Sequence, residues 1–294
     1  MMRKKPMLAY PVSDKPIDYN NTVFMQPKLD GVRCLIQYEK VKPTGIPPDI
    51  YSHQVKAYSR TGKQWLNIDH ILESLTPFFQ ANPNVILDGE LYNHALKDDF
   101  EKIISCVRKT KPTDVDRAES RRLVQFHCYD IVDETMPFEE RYKPILDDLN
   151  IKEAYGVRTV NYCKGIFSEV QAKAVHKMYL EAGFEGSILR LNDVYQCKRS
   201  HSLRKFKDFH DAEAVLVDWV EGKCKRKGTI GKFMAIDADG NSFGMPVMDN
   251  FKKLQTMFDE MKTWVGREAT FTYFERTKAG SYRHPLFKAI RDYE

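Results

Sequence analysis

The run Lys28-Leu29-Asp30-Gly31-Val32-Arg33 brings a nucleophilic amine, a carboxylate, a tight turn and a phosphate-seeking guanidinium into one short stretch. Those groups suit nucleotidyl transfer. A lysine with an ordinary pKa near ~10.4 is protonated at neutral pH, so an amine that attacks phosphorus must be desolvated or held beside other cations. Val23, Phe24 and Met25 precede the run and Cys34, Leu35 and Ile36 follow it, and these read as two buried strands punctuated by Asp30-Gly31. Lys28 is then expected at a strand end, facing a cleft. A hairpin turn with a solvated lysine fits the same bare pattern, so the rest of the chain has to decide between them.

Apolar runs that end in turn residues recur, as in Val85-Ile86-Leu87 before Asp88-Gly89 and Ile188-Leu189 after Glu185-Gly186. They read as core strands delivering polar residues to a cleft. A helix is expected from Ser168, where Gln171 completes a capping box, Val170, Ala174 and Met178 recur at helical spacing, and Gly183 ends the run. Residues 112–122 are highly charged and without periodicity and read as an exposed loop, as do residues 43–48. The composition changes near residues 208–211. Beyond it, short alternating segments at 214–220, 231–238 and 269–274, separated by Gly and Asp turns, suggest a small barrel after a boundary near residue 210.

A chain of 294 residues has room for roughly two domains, and 42% hydrophobic content lets each bury a core. No run approaches the ~20 apolar residues that span a bilayer. The start, Met1-Met2-Arg3-Lys4-Lys5-Pro6, leads into no apolar segment of the signal-peptide kind, so a soluble cytoplasmic protein without a membrane partner is expected. The cysteines at 34, 106, 128, 163, 197 and 224 form no C-x-x-C pair, which argues for reduced thiols and against a disulfide framework or a structural zinc site. Lysine plus arginine exceeds aspartate plus glutamate by 46 to 41, a net charge of +5 that does not by itself identify a nucleic-acid binder. The distribution says more. Lys198, Arg199, Arg204, Lys205 and Lys207 form one basic cluster and Lys223, Lys225, Arg226, Lys227 and Lys232 another. Such runs are usually solvated faces, but these flank the expected boundary, where a duplex held between two domains would need its phosphates neutralised.

Lys-x-Asp-Gly-x-Arg is also motif I of the covalent nucleotidyltransferases, and further blocks follow in that superfamily's order. They are Ser59-Arg60-Thr61-Gly62-Lys63, Asp88-Gly89-Glu90-Leu91, Tyr129-Asp130-Ile131-Val132, Glu185-Gly186-Ser187-Ile188-Leu189-Arg190 and Leu203-Arg204-Lys205-Phe206-Lys207. Asp211-Ala212-Glu213-Ala214, the run Gly222 to Gly231 and Arg283-His284-Pro285-Leu286-Phe287 continue the match. Over almost its whole length the chain resembles the ATP-dependent DNA ligases, most of all the minimal viral or bacterial kind with only two catalytic domains. The resemblance implies an α+β fold: an adenylation (nucleotidyltransferase) domain of antiparallel sheets with flanking helices at residues 1–209, then a small β-barrel OB-fold domain at 210–294. It also implies a monomer that seals 5′-phosphate/3′-hydroxyl nicks in duplex DNA, in a bacterial cell or phage-infected host. ATP is the co-substrate, and a lysyl-AMP and a DNA-adenylate are the intermediates.

The implied roles follow residue by residue. Lys28 is the nucleophile, and Asp30 orients it or the attacking hydroxyl. Arg33 makes a forked contact with phosphate or ribose, Glu90 accepts hydrogen bonds from the ribose, and Tyr129 stacks on adenine where the family usually has phenylalanine. Gln26 stands where many members carry glutamate, and its amide would contact base or sugar. Glu185 matches an acid that holds magnesium (or manganese), directly or through water. Lys205 and Lys207, two apart on one strand, would both reach the triphosphate. Arg60 and Lys63 match the segment that grips the broken strand, with Arg283 as a further DNA contact. The ending Asp292-Tyr293-Glu294 departs from the family by lacking a lysine, which leaves Arg291 as first candidate for assisting attack on ATP and Arg283 as second. Two other readings remain open on the residues alone. One is an mRNA-capping-type guanylyltransferase, which shares motif I. The other is a non-catalytic protein that binds nicked DNA.

Overall fold

The computed structural model describes residues 4–41, 52–277 and 280–291; the expected loop at 43–48 and the ending at 292–294 lie outside the described residues. The chain divides into two compact units, Met1–Phe206 and Lys207–Glu294. The division falls after Phe206, three residues before the expected 209/210 boundary, and it puts Lys207 in the second unit.

The first unit holds β1 (Leu8–Pro11), β2 (Val23–Lys28), β3 (Val32–Val41), β4 (Ser52–Tyr58), β5 (Ile86–Tyr92), β6 (Gln125–Ile131), β7 (Val157–Thr159), β8 (Cys163–Lys164), β9 (Gly186–Leu191) and β10 (Arg199–Phe206). They form two five-stranded sheets with the orders β1-β10-β9-β2-β8 and β4-β3-β5-β6-β7. The sheets are not wholly antiparallel as expected: β1 runs parallel to β10 and β7 parallel to β6.

Strand β2 is apolar without alternation because both its faces are covered. Val23 and Met25 pack with Ile166, Ala172, Tyr179 and Leu189 beneath the helix Glu169–Glu181, whereas Phe24 joins the main core. Burying each such side chain contributes about 1.5–3 kcal/mol, which helps hold the strand that carries Lys28. The main core lies against the second sheet, where Phe78, Phe79 and Ile103 from short helices meet Ile36, Leu87 and Phe126 from β3, β5 and β6.

Two helical expectations are corrected. Residues 112–122 are not a loop, since Asp114–Leu123 is a helix with a full capping box between Thr113 and Asp116, acids in its first turn and arginines in its last. It buries little, so it carries no apolar stripe; its ends are the legible signal. The helix after Ser168 does form, as Glu169–Glu181, with Ser168 Oγ accepting from the Gln171 amide at 3.2 Å. Its buried face, however, is Ala172, His176 and Tyr179, and Val170 and Met178 are 77% and 47% exposed. Both triplets have helical spacing. The polar one is buried because its heads find partners: His176 Nδ1 lies 2.9 Å from Ser187 Oγ, and the Tyr179 hydroxyl donates to the Met25 carbonyl at 3.1 Å.

The second unit contains β11 (His210–Glu221), β12 (Ile230–Ile236), β13 (Ser242–Pro246), β14 (Glu268–Tyr273), β15 (Glu275–Arg276), β16 (Tyr282–Arg283) and β17 (Leu286–Ile290). Its main sheet has the order β13-β12-β11-β14-β17, antiparallel throughout. Among the described residues the ladder is open, with β13 and β17 as edges, so the expected closed barrel is not formed by hydrogen bonding. Ala214, Leu216, Phe233, Phe271 and Leu254 of the helix Phe251–Asp259 make its core. Among the described residues no helix is long and apolar enough to cross a membrane.

Candidate active site

Lys28 ends β2 opposite Gly186 of β9, and the Glu185 amide donates to the Lys28 carbonyl at 3.2 Å. Gly186 has φ +153°, and a Cβ there would lie 2.3 Å from the Phe206 carbonyl oxygen, so no other residue lets β9 and β10 meet in this way. The register delivers Glu185 to Lys28. Their side chains form an ion pair, 22% and 4% exposed respectively.

Around the amine opens a cleft of about 260 Å³ whose walls include Gln26, Lys28, Arg33, Arg60, Glu90, Tyr129, Arg190, Arg199 and Lys205. Tyr129 reaches it through a bulge. The pairing of β5 with β6 steps from Asp88 opposite Asp130 to Gly89 opposite Cys128, leaving Tyr129 as the extra residue. Its hydroxyl donates to Glu90 Oε2 at 3.1 Å. Burial raises the Glu90 carboxyl from 4.5 to about 7, against the opposing pull of Arg33 and Lys28. Lys205, on β10, is pushed below its ordinary 10.5 by burial and then by the like charges of Lys28 and Arg199.

Several expected contacts are redirected. The fork of Arg33 grips the buried Asp88, Nε to Oδ1 at 2.6 Å and Nη2 to Oδ2 at 2.5 Å, and Nη2 also donates to the Met7 carbonyl at 3.1 Å. That fork, expected on phosphate or ribose, is engaged by Asp88, and Arg33 also lines the cleft. Its guanidinium carbon still lies 5.1 Å from the centre of the Tyr129 ring. Gln26 is 1% exposed, and its amide is engaged on both sides: Nε2 donates to the carbonyls of Val160 and Tyr129 at 3.1 and 3.3 Å, and Oε1 accepts from Arg190 Nε at 2.6 Å. An amide held this way supports the wall rather than turning freely to a ligand.

Arg60 sits exposed in the turn after β4, closed by the Gly62 amide on the Ser59 carbonyl at 2.9 Å, and lines the cleft. Lys63, Asp30 and Glu185 are not among the lining residues. Lys63 is exposed at the far side of the turn, where its amide donates to Ser59 Oγ at 3.0 Å, and Asp30 lies past the end of β2 on the way to β3. Lys207 falls outside β10, which stops at Phe206, so it does not share a strand face with Lys205; its amine lies 4.2 Å from the centre of the Phe274 ring. Arg283 is ion-paired with Glu275, and Arg291 with Glu213 and, at 3.7 Å, Glu268, all within the second unit. Among the described residues no group of three or more His, Cys, Asp or Glu side chains could hold a metal. Glu185 alone fits magnesium only as a minority ligand beside phosphate oxygens and water, which is how that ion is usually bound.

Sequence reasoning assigned no role to Arg190, Asp88 or Asp130, all quoted inside motif blocks, or to Tyr195, whose hydroxyl donates to Asp88 Oδ2 at 2.7 Å. For Arg190, Asp88 and Asp130 the signal was charge inside apolar strands.

Residues 6–207 match the family model described as ATP dependent DNA ligase domain. The chain belongs to this family. The DNA ligase of African swine fever virus (isolate Pig/Kenya/KEN-50/1950) is 29% identical over 174 residues, 56% of this chain and 39% of that protein. The DNA ligase of Enterobacteria phage T4 is 28% identical over 259 residues, 72% of this chain and 50% of that one. The chain thus matches half or less of the length of these curated relatives. Among solved structures, a Lig E DNA ligase superposes with a TM-score of 0.74 at 21% identity, covering 99% of this chain and 100% of its own. The ATP-dependent DNA ligase from bacteriophage T7, in complex with ATP, gives a TM-score of 0.53 at 18% identity and 98% coverage of both chains. These structures share the fold.

Proposed function

We propose that this chain is an ATP-dependent DNA ligase, with Met1–Phe206 as adenylation domain and the second unit as an OB-fold-like DNA-binding domain. The observation that carries the reading is the Lys28 amine at a strand end, in a cleft it shares with Lys205, Arg60, Glu90 and Tyr129. The Lys28 lone pair attacks the α-phosphorus of ATP. The bond to the β-phosphate breaks, pyrophosphate leaves, and the amine gives up a proton. A 5′-phosphate oxygen of a nick then attacks the same phosphorus, the P–N bond breaks and the amine recovers its proton. In the last step the 3′-hydroxyl oxygen attacks the 5′-phosphate, its proton passes to solvent, and the anhydride bond breaks to release AMP.

Each side chain has a physical task in that sequence. Lys205, with its ammonium poorly solvated, offsets phosphate charge and disfavours a second charge on Lys28. Glu90 accepts ribose hydroxyls, Tyr129 offers a ring to the base, and Arg60 meets the phosphates of the broken strand. A divalent cation, magnesium by the chemistry of the donors, would be held by Glu185 and would neutralise phosphoryl charge. Asp30 orients a hydroxyl, Lys207 and Arg291 bind the nucleotide, and Arg283 contacts DNA.

The test is nick joining with ATP and magnesium, monitored for an acid-stable adduct that maps to Lys28. Sealing with a Lys28 adduct supports the reading. Labelling by GTP but not ATP would favour guanylyl transfer instead, and tight binding of nicked DNA with no adduct from either nucleotide would favour a non-catalytic binder.

A further inference from the structure

Arg190 joins the two sheets at the cleft wall. It stands on β9, 4% exposed, with its Nε on Gln26 Oε1 at 2.6 Å and its Nη1 on Asp130 Oδ2 at 2.5 Å. Gln26 belongs to β2 in the same sheet as Arg190, whereas Asp130 belongs to β6 in the other. The guanidinium carbon also lies 5.7 Å from the centre of the Tyr129 ring. Asp130, fully buried, is held from its other side by Arg141, whose Nε and Nη2 donate at 2.7 and 3.0 Å.

A glutamine amide can turn over and exchange its oxygen and nitrogen at little cost unless its neighbours forbid it. Here they do. Arg190 is purely a donor and accepts only the oxygen on its side, and the carbonyls of Val160 and Tyr129 are purely acceptors and require the nitrogen on theirs. One planar cation thus sets the Gln26 amide, lies close to the Tyr129 ring and ties the Gln26 strand to Asp130 on the strand that carries Tyr129.

We propose that Arg190 is a positioning residue for the nucleotide base: through Asp130 it holds Gln26 and Tyr129 in one arrangement across the seam of the two sheets. The proposal rests on the ligase reading above. Lysine cannot replace it, because a single ammonium on a flexible stem does not serve two partners in a fixed fork.

The experiment uses the full chain and follows Lys28 adenylation against ATP concentration in wild type, Arg190→Lys, Gln26→Met and the double variant. Arg190→Lys keeps a cation near Asp130, and Arg141 still neutralises that carboxylate, so the fold is expected to survive; Gln26→Met changes no charge and carries the same test should the lysine variant fail to fold. The expected result is a KM for ATP raised about tenfold in each single variant, the factor of a lost charge-assisted hydrogen bond, with the saturating rate within about threefold of wild type. The double variant should be no worse than the more impaired single, because the Arg190–Gln26 contact is lost in both. An unshifted KM, a loss confined to the saturating rate, or multiplied effects in the double variant overturn the proposal. Absence of any Lys28 adduct in wild type sinks the ligase reading and this proposal together; a labelled wild type with normal KM in the variants sinks this one alone.

Discussion

Glu90 is acted on by two opposed effects, and the balance between them can be measured as stability. On β5 it lies within the field of the Arg33 guanidinium and the Lys28 ammonium, and it accepts a hydrogen bond from Tyr129, all of which favour its charged form. Burial still wins and carries the carboxyl from 4.5 to about 7. That displacement corresponds to about 3 kcal/mol. Between the two values the folded chain binds more protons than the unfolded one, so stability falls as pH rises through that window. Below about pH 4.5 the group is neutral in both states and costs nothing, and above about pH 7 the whole penalty is in place. Glu90→Gln removes the ionisation and keeps an acceptor for the Tyr129 hydroxyl. The variant should therefore exceed wild type by up to about 3 kcal/mol near pH 8, with the gap closing toward pH 5. Urea unfolding of nucleotide-free protein across that range reads the difference directly. A gap that does not change with pH, or a wild type more stable than the variant at pH 8, would show that the two cations outweigh burial and refute the argument.

Lys28→Ala should bring adenylation to background in a labelled-ATP assay, and a persistent adduct elsewhere would displace the nucleophile. Arg60→Ala is expected to form lysyl-AMP normally and to seal nicks about tenfold more slowly, as loss of one phosphate contact requires; equal losses in both steps would contradict its place on the DNA side. Gly186→Ala should destabilise the fold by about 2–4 kcal/mol, since its φ of +153° and its approach to Phe206 both exclude a side chain; an unchanged melting temperature would contradict the register of β9 on β10. In the second unit, Lys223, Lys225 and Lys227 are exposed, whereas Arg226 is tied to the Val247 carbonyl at 2.9 Å. Replacing the three lysines by alanine should lower the salt slope of DNA binding by about 2–3, and an unchanged slope would exclude that turn from the interface.

The strands that flank Lys28 were legible because continuous apolar runs cannot be satisfied anywhere but between two covered layers. The helix Asp114–Leu123 was not, because a helix that buries almost nothing has no stripe to read, only its Thr113–Asp116 cap. The wrong face of Glu169–Glu181 has a related cause. His176 and Tyr179 look polar in a sequence and become buried once Ser187 and the Met25 carbonyl are there to receive them. Lys207 was misplaced because a period-two argument assumes that the strand continues, and β10 ends one residue earlier.

By itself the sequence determined which groups the chain could bring to a reaction: an amine, carboxylates, aromatic rings and guanidinia in an order shared with a family. Residue types and spacing carry that much, since side-chain chemistry does not depend on the fold. Only the tertiary structure decided how those groups are used. It turned the Arg33 fork onto Asp88, locked Gln26 against Arg190, set Glu185 on Lys28 and raised the Glu90 carboxyl to about 7. The physical reason is that hydrogen-bond partners come from residues 39 to 164 positions away along the chain, and no local pattern records which buried charge will meet which.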